Sequence, residues 1–195
     1  MNIFFQIEGG LGKSIMGTAM VKAIKKKYKK SKLFVVTAYP DVFLNNPHVE
    51  QTFRSDQING VYLKYIKDKE AKVFIEDPYR NSDFILEEKH LFETWCKIYG
   101  LEYNGESPEL YLTQPEIDYF TPFYKTDKPI LAIQPNGGPQ KQGFNYSWTR
   151  DIPETVVLKV INHFKDKYSI VHIKRKDQKE YPNTLQALNC LCIVL

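Results

Sequence analysis

Residues 2–38, NIFFQIEGGLGKSIMGTAMVKAIKKKYKKSKLFVVTA, contain the pattern that decides the fold. The apolar run NIFFQI (2–7) ends in glycines, as a buried parallel strand and its turn do. A mostly apolar helix is predicted from Ser14, and its lysine-rich last turn complements the negative end of the helix dipole. A second apolar run, KLFVVTA (32–38), follows. Strand, glycine turn, helix and strand in this order predict a right-handed βαβ unit and an α/β fold.

Similar patterns continue along the chain. AKVFIED (71–77) is predicted to be another buried strand, and SDFILEEKHLFETWCKIYG (82–100) has the apolar spacing of a helix. PILAIQP (129–135) is a strong new strand, and it is followed by an amphipathic helix over about 153–168 and the strand SIVHIKR (169–175). A second βαβ unit is therefore expected to begin near residue 129.

A boundary between two domains is predicted within 115–128, where the polar stretch KTDK precedes the new strand. The predicted domains are 1–120 and 121–195. The last residues, LQALNCLCIVL, are apolar, and an α/β domain normally needs further strands to bury such a face. The second domain is therefore expected to be incomplete.

Composition favours a folded protein of the cytoplasm. Hydrophobic residues make up 43% of the 195 residues and aromatic residues 14%. No apolar stretch approaches the ~20 residues that span a bilayer, and the N-terminus has no signal-peptide pattern. Three cysteines without a framework spacing suit a reducing compartment, where they are expected to act as small buried hydrophobes; they are Cys96, Cys190 and Cys192.

Neither a metal nor a cofactor is predicted. The histidines lack metal-ligand spacing, and no D-x-D pair offers a chelating arrangement. The net charge of +4 is mild and does not predict nucleic-acid binding. Much of it lies in the run KKKYKKSK (25–32), which is either a solvated helix end or a site of peripheral contact with anionic lipid, where each lysine contributes about 1 kcal/mol.

The stretch GGLGKS (9–14) resembles the end of a nucleotide-binding P-loop. Gly12, Lys13 and Ser14 fit the motif G-x-x-x-x-G-K-[ST], but its first glycine is replaced by Ile7, inside the apolar strand. Glu8, one residue further on, would repel a triphosphate. Asp77, at the end of VFIED, could pass for a magnesium-holding acid, although acids at strand ends are common in α/β proteins. A P-loop NTPase therefore remains only a third alternative.

Three stretches together resemble the glycosyltransferases of family 9, the heptosyltransferase-like enzymes with the two-domain GT-B fold. Residues 9–53 are similar to the family's glycine loop, helix, second strand and N-P-x-V turn. KHLFETWCKIYGLEYNGESPELYL (89–112) is similar to the elements that close its first domain, and KPILAIQPNGGPQKQGFNYSWTRDIP (128–153) looks like the start of its second. The order and spacing of these motifs carry the resemblance.

The resemblance implies an activity. It implies an acceptor-side first domain and a nucleotide-sugar second domain, which together transfer a sugar from a nucleotide-sugar to a glycan or glycolipid acceptor. Family members generally carry an aspartate, the proposed general base, directly after the last loop glycine, and this chain has Lys13 there. An ammonium cannot accept a proton, so Glu8 becomes the candidate base. A non-catalytic sugar- or nucleotide-binding relative is the alternative.

Ligand binding is predicted at two loops. Glycines let the backbone approach a diphosphate, and a helix N-terminus offers N–H groups and partial positive charge. Because a lysine in the first turn opposes the helix dipole, Lys13 is expected to have an anionic partner, for which donor phosphate is the hypothesis. Trp148 either touches the donor or packs on its own domain, and Asp151 is predicted to cap the following helix. The predicted binding residues are Gly9, Gly10, Leu11, Gly12, Lys13, Ser14, Asn136, Gly137, Gly138, Lys141 and Trp148.

Overall fold

Two sheets of parallel strands form the framework of this computed structural model, which describes residues 1–86, 88–124, 126–137, 151–176 and 178–188. The first sheet contains β1 (Asn2–Ile7), β2 (Lys32–Thr37), β3 (Gln51–Arg54) and β4 (Ala71–Phe74), in the spatial order β3-β2-β1-β4. The second contains β5 (Ile130–Ile133), β6 (Ser169–Lys174) and β7 (Leu185–Leu188), in the order β5-β6-β7. The predicted α/β class is confirmed.

Helices connect these strands in the described residues. The α-helices are α1 (Leu11–Lys27), α2 (Ile58–Val61), α3 (Ser82–Ile85), α4 (Leu91–Ile98), α5 (Gln114–Phe120) and α6 (Glu154–Phe164). Short 3₁₀ segments span Pro40–Phe43, Ser55–Gln57, Pro78–Arg80 and Thr121–Tyr124, and a π-helical turn spans Tyr62–Ile66. No helix of the described residues has both the length and the hydrophobicity needed to cross a membrane.

The first sheet is buried on both faces at β1, as its continuous apolar sequence predicts. Ile3, Phe5 and Ile7 belong to one core cluster, which includes buried residues of α1 and α4. Phe4 lies in the other cluster, where its ring stacks on that of Phe34 with centroids 4.9 Å apart. Burial of these side chains on the two faces fixes the register of the strand.

The sequence predicts one helix over 82–100, but the structure contains two, α3 and α4. Asn81 caps the first, because its side chain accepts a hydrogen bond from the Asp83 N–H at 3.0 Å. His90 caps the second, because its Nδ1 accepts one from the Phe92 N–H at 3.3 Å. The apolar spacing continues across the break, so the spacing alone does not show it.

The chain divides into two compact units, Met1–Thr113 and Gln114–Leu195. The division predicted from sequence, at 120/121, assigns α5 to the first domain. The structure groups α5 with the second unit. In the second unit, Val157 and Ile161 of α6 pack in one cluster with Ile170 of β6 and Tyr181.

Cys96 lies on α4 inside the first core and is 1% exposed. Burial raises the pKa of its thiol to about 11, and the negative charge of Glu106 acts in the same direction. The expectation that it behaves as a small buried hydrophobe is confirmed. Cys190 and Cys192 lie outside the described residues.

Candidate functional site

The chain reverses its direction of strand addition next to β1. From β1 it proceeds to β2 and β3 on one side and then crosses to β4 on the other side. In open α/β sheets, ligands bind outside the carboxyl ends of the strands at such a topological switch point. The loop after β1 (8–10) and the segment after β4 (75–77) follow these two carboxyl ends, so this position is the first candidate site.

The glycine loop opens α1 at this point. Gly9 has a φ of +111°, a conformation that L-residues rarely adopt, and a Cβ there would lie 3.3 Å from Cδ of Lys13. Gly10 is the N-cap residue, and its carbonyl accepts hydrogen bonds from the N–H groups of Lys13 and Ser14. No side chain of the described residues caps this end, and the first turn holds no acid. The partial positive charge at this end of the helix is therefore available to groups outside the helix.

Lys13 extends from the first turn of α1 to the segment after β4. Its Nζ lies 2.6 Å from Oδ2 of Asp77, and its side chain is only 10% exposed. The ammonium also lies 5.6 Å from the ring centroid of Tyr79 and 5.9 Å from that of Trp95. The expected anionic partner of Lys13 is thus present within the chain itself.

Asp77 is fixed from two directions. Its Oδ1 accepts a hydrogen bond from the Tyr79 N–H at 3.0 Å, and its Oδ2 is paired with Lys13. Burial acts to raise the pKa of Asp77, but the hydrogen bonds from Lys13 and Tyr79, with the positive charges of Lys13 and Arg80, outweigh it. The pKa lies below its usual value, so the carboxylate is ionised at neutral pH.

Two other residues predicted for this site, Ser14 and Glu8, make contacts different from that of Lys13. Ser14 is 1% exposed, and its hydroxyl lies 2.9 Å from that of Thr37 on β2. The hydroxyl is therefore engaged with the sheet rather than presented to a ligand. Glu8 is exposed, and its Oε1 accepts a hydrogen bond from Gln6 Nε2 at 3.3 Å.

The position of the first P-loop glycine lies inside the sheet. Ile7 is the last residue of β1, pairs with Thr37 and is 1% exposed. The chain consequently turns only at Glu8–Gly10, which is too short a loop for the phosphate wrap of a P-loop. No cluster of three possible metal-ligating side chains occurs in the described residues.

The second predicted loop follows β5. Asn136 and Gly137 are half-buried, and the Gly137 N–H donates to Oδ1 of Asp151 at 2.6 Å. Pro153, not Asp151, occupies the N-cap position of α6, so the predicted capping role of Asp151 is wrong. Its carboxylate instead accepts the hydrogen bond from Gly137, just after β5. The remaining predicted residues of this loop lie outside the described residues; they are Gly138, Lys141 and Trp148.

Several lysines of the 25–32 run have partners within the first unit. Lys25 Nζ donates to the Ser31 carbonyl at 2.6 Å, and Lys27 Nζ donates to the Gly100 carbonyl at 2.6 Å. Nζ of Lys26 lies 3.7 Å from Oε1 of Glu106, and Nζ of Lys32 lies 3.0 Å from Oε1 of Glu50. Part of the positive charge is therefore neutralised locally, and lipid contact at this run stays a prediction.

The fold and the switch-point site define an α/β protein with two parallel-stranded Rossmann-like units. Solved structures identify this architecture more closely as the GT-B glycosyltransferase-like fold. One is heptosyltransferase II of Escherichia coli, an ADP-heptose lipopolysaccharide heptosyltransferase, with a TM-score of 0.54 and 13% identity over 90% of this chain. Another is a family 9 glycosyl transferase of Veillonella parvula, with a TM-score of 0.60 and 11% identity over 95% of this chain.

These likenesses concern the fold. The chain spans 65% of the length of the heptosyltransferase II chain and 69% of that of the Veillonella protein. No protein-family profile matches the sequence, and no curated protein matches it.

Proposed function

We propose that this chain belongs to a glycosyltransferase-type protein that binds a nucleoside-diphosphate sugar and transfers its sugar to a glycan or glycolipid acceptor. The observation that carries the proposal is the largely buried Lys13 side chain at the uncapped N-terminus of α1, at the switch point of the first sheet. An ammonium beside free helix N–H groups is a site for phosphate. Both similar structures named above are those of glycosyltransferases.

In this proposal the diphosphate of the donor contacts Lys13 and the backbone of Gly9–Gly12. Gly9 and Gly12 have no side chains, so the ligand can approach the main chain closely. Donor contacts at the loop after β5, which the sequence predicts from Asn136 onward, remain a separate prediction. Glu8 is the carboxylate that the loop itself offers as a base.

Titration calorimetry with ADP-heptose, other nucleoside-diphosphate sugars and ATP with magnesium tests this function. We expect a nucleoside-diphosphate sugar to bind and Lys13→Met to weaken that binding by about tenfold, because a hydrogen bond to a charged group is lost. Lys27→Met is the matched control, since Lys27 lies in the last turn of the same helix and bonds to Gly100. Equal binding by both variants and the wild type contradicts the assigned site.

A non-catalytic binding protein is the second candidate, and the Lys13–Asp77 pair favours it. Lys13 cannot act as a base, and its ammonium is already neutralised by Asp77. Release of the nucleoside diphosphate from the bound donor separates the two functions. Donor binding without release indicates the binding protein, whereas magnesium-dependent ATP binding without sugar-nucleotide binding indicates an NTPase.

A further inference from the structure

The carboxylate best placed for chemistry at the switch point is that of Asp77. Asp77 follows β4, which pairs with β1, and it reaches the first turn of α1 through its contact with Lys13. Its side chain is 25% exposed, so solvent reaches one part of it. Each carboxylate oxygen carries two lone pairs, which leaves acceptor capacity for a substrate hydroxyl beyond the bonds to Tyr79 and Lys13.

Glu8 is less firmly held than Asp77. Its side chain is exposed, and its hydrogen bond comes from the side chain of Gln6, two residues earlier, on β1. Asp77, by contrast, is held by the backbone N–H of Tyr79 and by the ammonium of the largely buried Lys13 side chain. A group that accepts a proton from a substrate must be positioned by its surroundings, and this favours Asp77.

Lys13 is suited to exchange one anion for another. Its ammonium has three donors, and it lies in the first turn of α1, where a bound phosphate also meets the helix N–H groups. A diphosphate carries more negative charge than one carboxylate. It therefore competes with Asp77 for the ammonium.

Resting on the glycosyltransferase function, we infer that Lys13 passes from Asp77 to the donor diphosphate when donor binds, and that Asp77 then acts as the general base. Asp77 takes the proton of the acceptor hydroxyl while the acceptor oxygen bonds to the anomeric carbon. The bond from that carbon to the diphosphate oxygen breaks, and its electron pair leaves with the nucleoside diphosphate. Lys13 neutralises the charge that develops on the leaving group.

The same exchange makes Asp77 more basic. The groups that face it are Lys13 on α1, the N–H and phenol of Tyr79 and the guanidinium of Arg80 on the 3₁₀ segment, and the phenol of Tyr99 after α4. Without the ammonium, and with a phosphate nearby, the pKa of Asp77 rises, because one stabilising charge leaves and a like charge arrives. The N–H of Tyr79 remains to hold the side chain in place.

Binding of inorganic pyrophosphate and of ADP, measured by titration calorimetry, tests the exchange. In Asp77→Asn the internal competitor is gone, so we expect about tenfold tighter binding than in the wild type. Glu76→Gln is the matched control, because it makes the same change in the adjacent exposed acid, and its binding should equal that of the wild type. A merely structural ion pair predicts equal or weaker binding in Asp77→Asn, and that result overturns the inference.

Turnover tests the base. With the sugar nucleotide that the wild type cleaves fastest and water as acceptor, Asp77→Asn should release nucleoside diphosphate about 100-fold or more slowly, and the control Glu76→Gln should release it at the wild-type rate. Loss in Glu8→Gln with retention in Asp77→Asn overturns the role of Asp77. If the wild type binds neither pyrophosphate, ADP nor any sugar nucleotide, the proposed function itself fails. Binding by the wild type without tightening in Asp77→Asn overturns the exchange alone.

A measurement on the unaltered protein avoids any folding defect of the variant. The carboxyl carbon of Asp77 is followed by NMR during a pH titration, and its signal is identified by its loss in Asp77→Asn. Saturating pyrophosphate should raise the pKa of Asp77 above its value in the ligand-free protein. An unchanged or lower pKa in the presence of bound pyrophosphate overturns the exchange.

Discussion

At the scale of single residues, the central interaction of the candidate site is the ion pair between Lys13 and Asp77. The side chain of Lys13 is 10% exposed, and its position in the first helical turn opposes the dipole of α1. Asp77 offsets both costs, because its carboxylate supplies the negative charge that the first turn of α1 lacks. Two aromatic rings, those of Tyr79 and Trp95, lie close enough to favour the ammonium further.

This pairing predicts a pH-dependent stability. The pKa of Asp77 is lowered in the folded state, so its stabilisation is present above the unfolded pKa and is lost as pH falls through the folded value. Asp77→Asn should therefore unfold at a lower urea concentration than the wild type at pH 7. The difference should be smaller at pH 3, because the wild-type advantage begins to fall once the pH drops below the unfolded pKa of Asp77.

Urea midpoints of the wild type, Asp77→Asn and Glu76→Gln at both pH values make this comparison. Glu76 is the exposed neighbour, so its substitution should leave the midpoint nearly unchanged at pH 7. A wild-type advantage over Asp77→Asn that stays constant from pH 7 to pH 3 contradicts the charge-based explanation.

The sequence analysis singles out Lys13 and Asp77 individually, but it does not predict that they form an ion pair. Lys13 is recognised by its place after the glycine loop, and Asp77 by its place at the end of an apolar run. Both are local patterns. Their contact depends on β4 pairing with β1 rather than with β3, which is a long-range choice among strands. No period or spacing encodes that choice. Ser14 illustrates the same limit, because its partner Thr37 lies on the neighbouring strand.

At the scale of elements, α1 depends on a glycine in its middle. Gly17 is buried, and a Cβ there would lie 2.4 Å from Cδ1 of Ile7 and 3.5 Å from atoms of Phe5 and Phe43. The helix can therefore lie closely against β1. The apolar run that predicts β1 and the periodicity that predicts α1 are both local, which explains why these elements are predictable from sequence while α3 and α4 are fused in the prediction.

Gly17→Ala and Gly12→Ala should have opposite effects on stability. Alanine gains about 1 kcal/mol in helix propensity at either site. At Gly17 the added methyl group meets a packed core, which costs about 1–3 kcal/mol, whereas nothing lies within 4 Å of a Cβ at Gly12. Thermal unfolding of both variants measures the difference. Equal stabilisation of the two variants would show that Ile7 moves aside freely.

At the scale of the whole molecule, the first unit contains its own core. Both clusters on the faces of its sheet consist of residues within Met1–Thr113. Trp95 and Tyr99 complete one of them, since their rings lie 5.5 Å and 6.0 Å from the ring of Phe5. A unit of this size with two filled faces is large enough to fold by itself.

We expect a fragment of residues 1–113 to unfold cooperatively, as followed by circular dichroism in urea. A fragment of residues 1–90 is the control, because it lacks α4 and with it Trp95 and Tyr99, and it should show no cooperative transition. A non-cooperative profile for residues 1–113 would mean that the core requires the rest of the chain.

The contact between Lys13 and Asp77 also restricts how this chain can change in evolution. Lys13→Asp alone would place two carboxylates side by side, and Asp77→Lys alone would place two ammonium groups together at the positive end of a helix. Each single step is unfavourable, although the double exchange keeps opposite charges in contact. Positions 13 and 77 are therefore expected to be inherited as a pair, and an aspartate at position 13 is tolerated only after residue 77 has lost its negative charge.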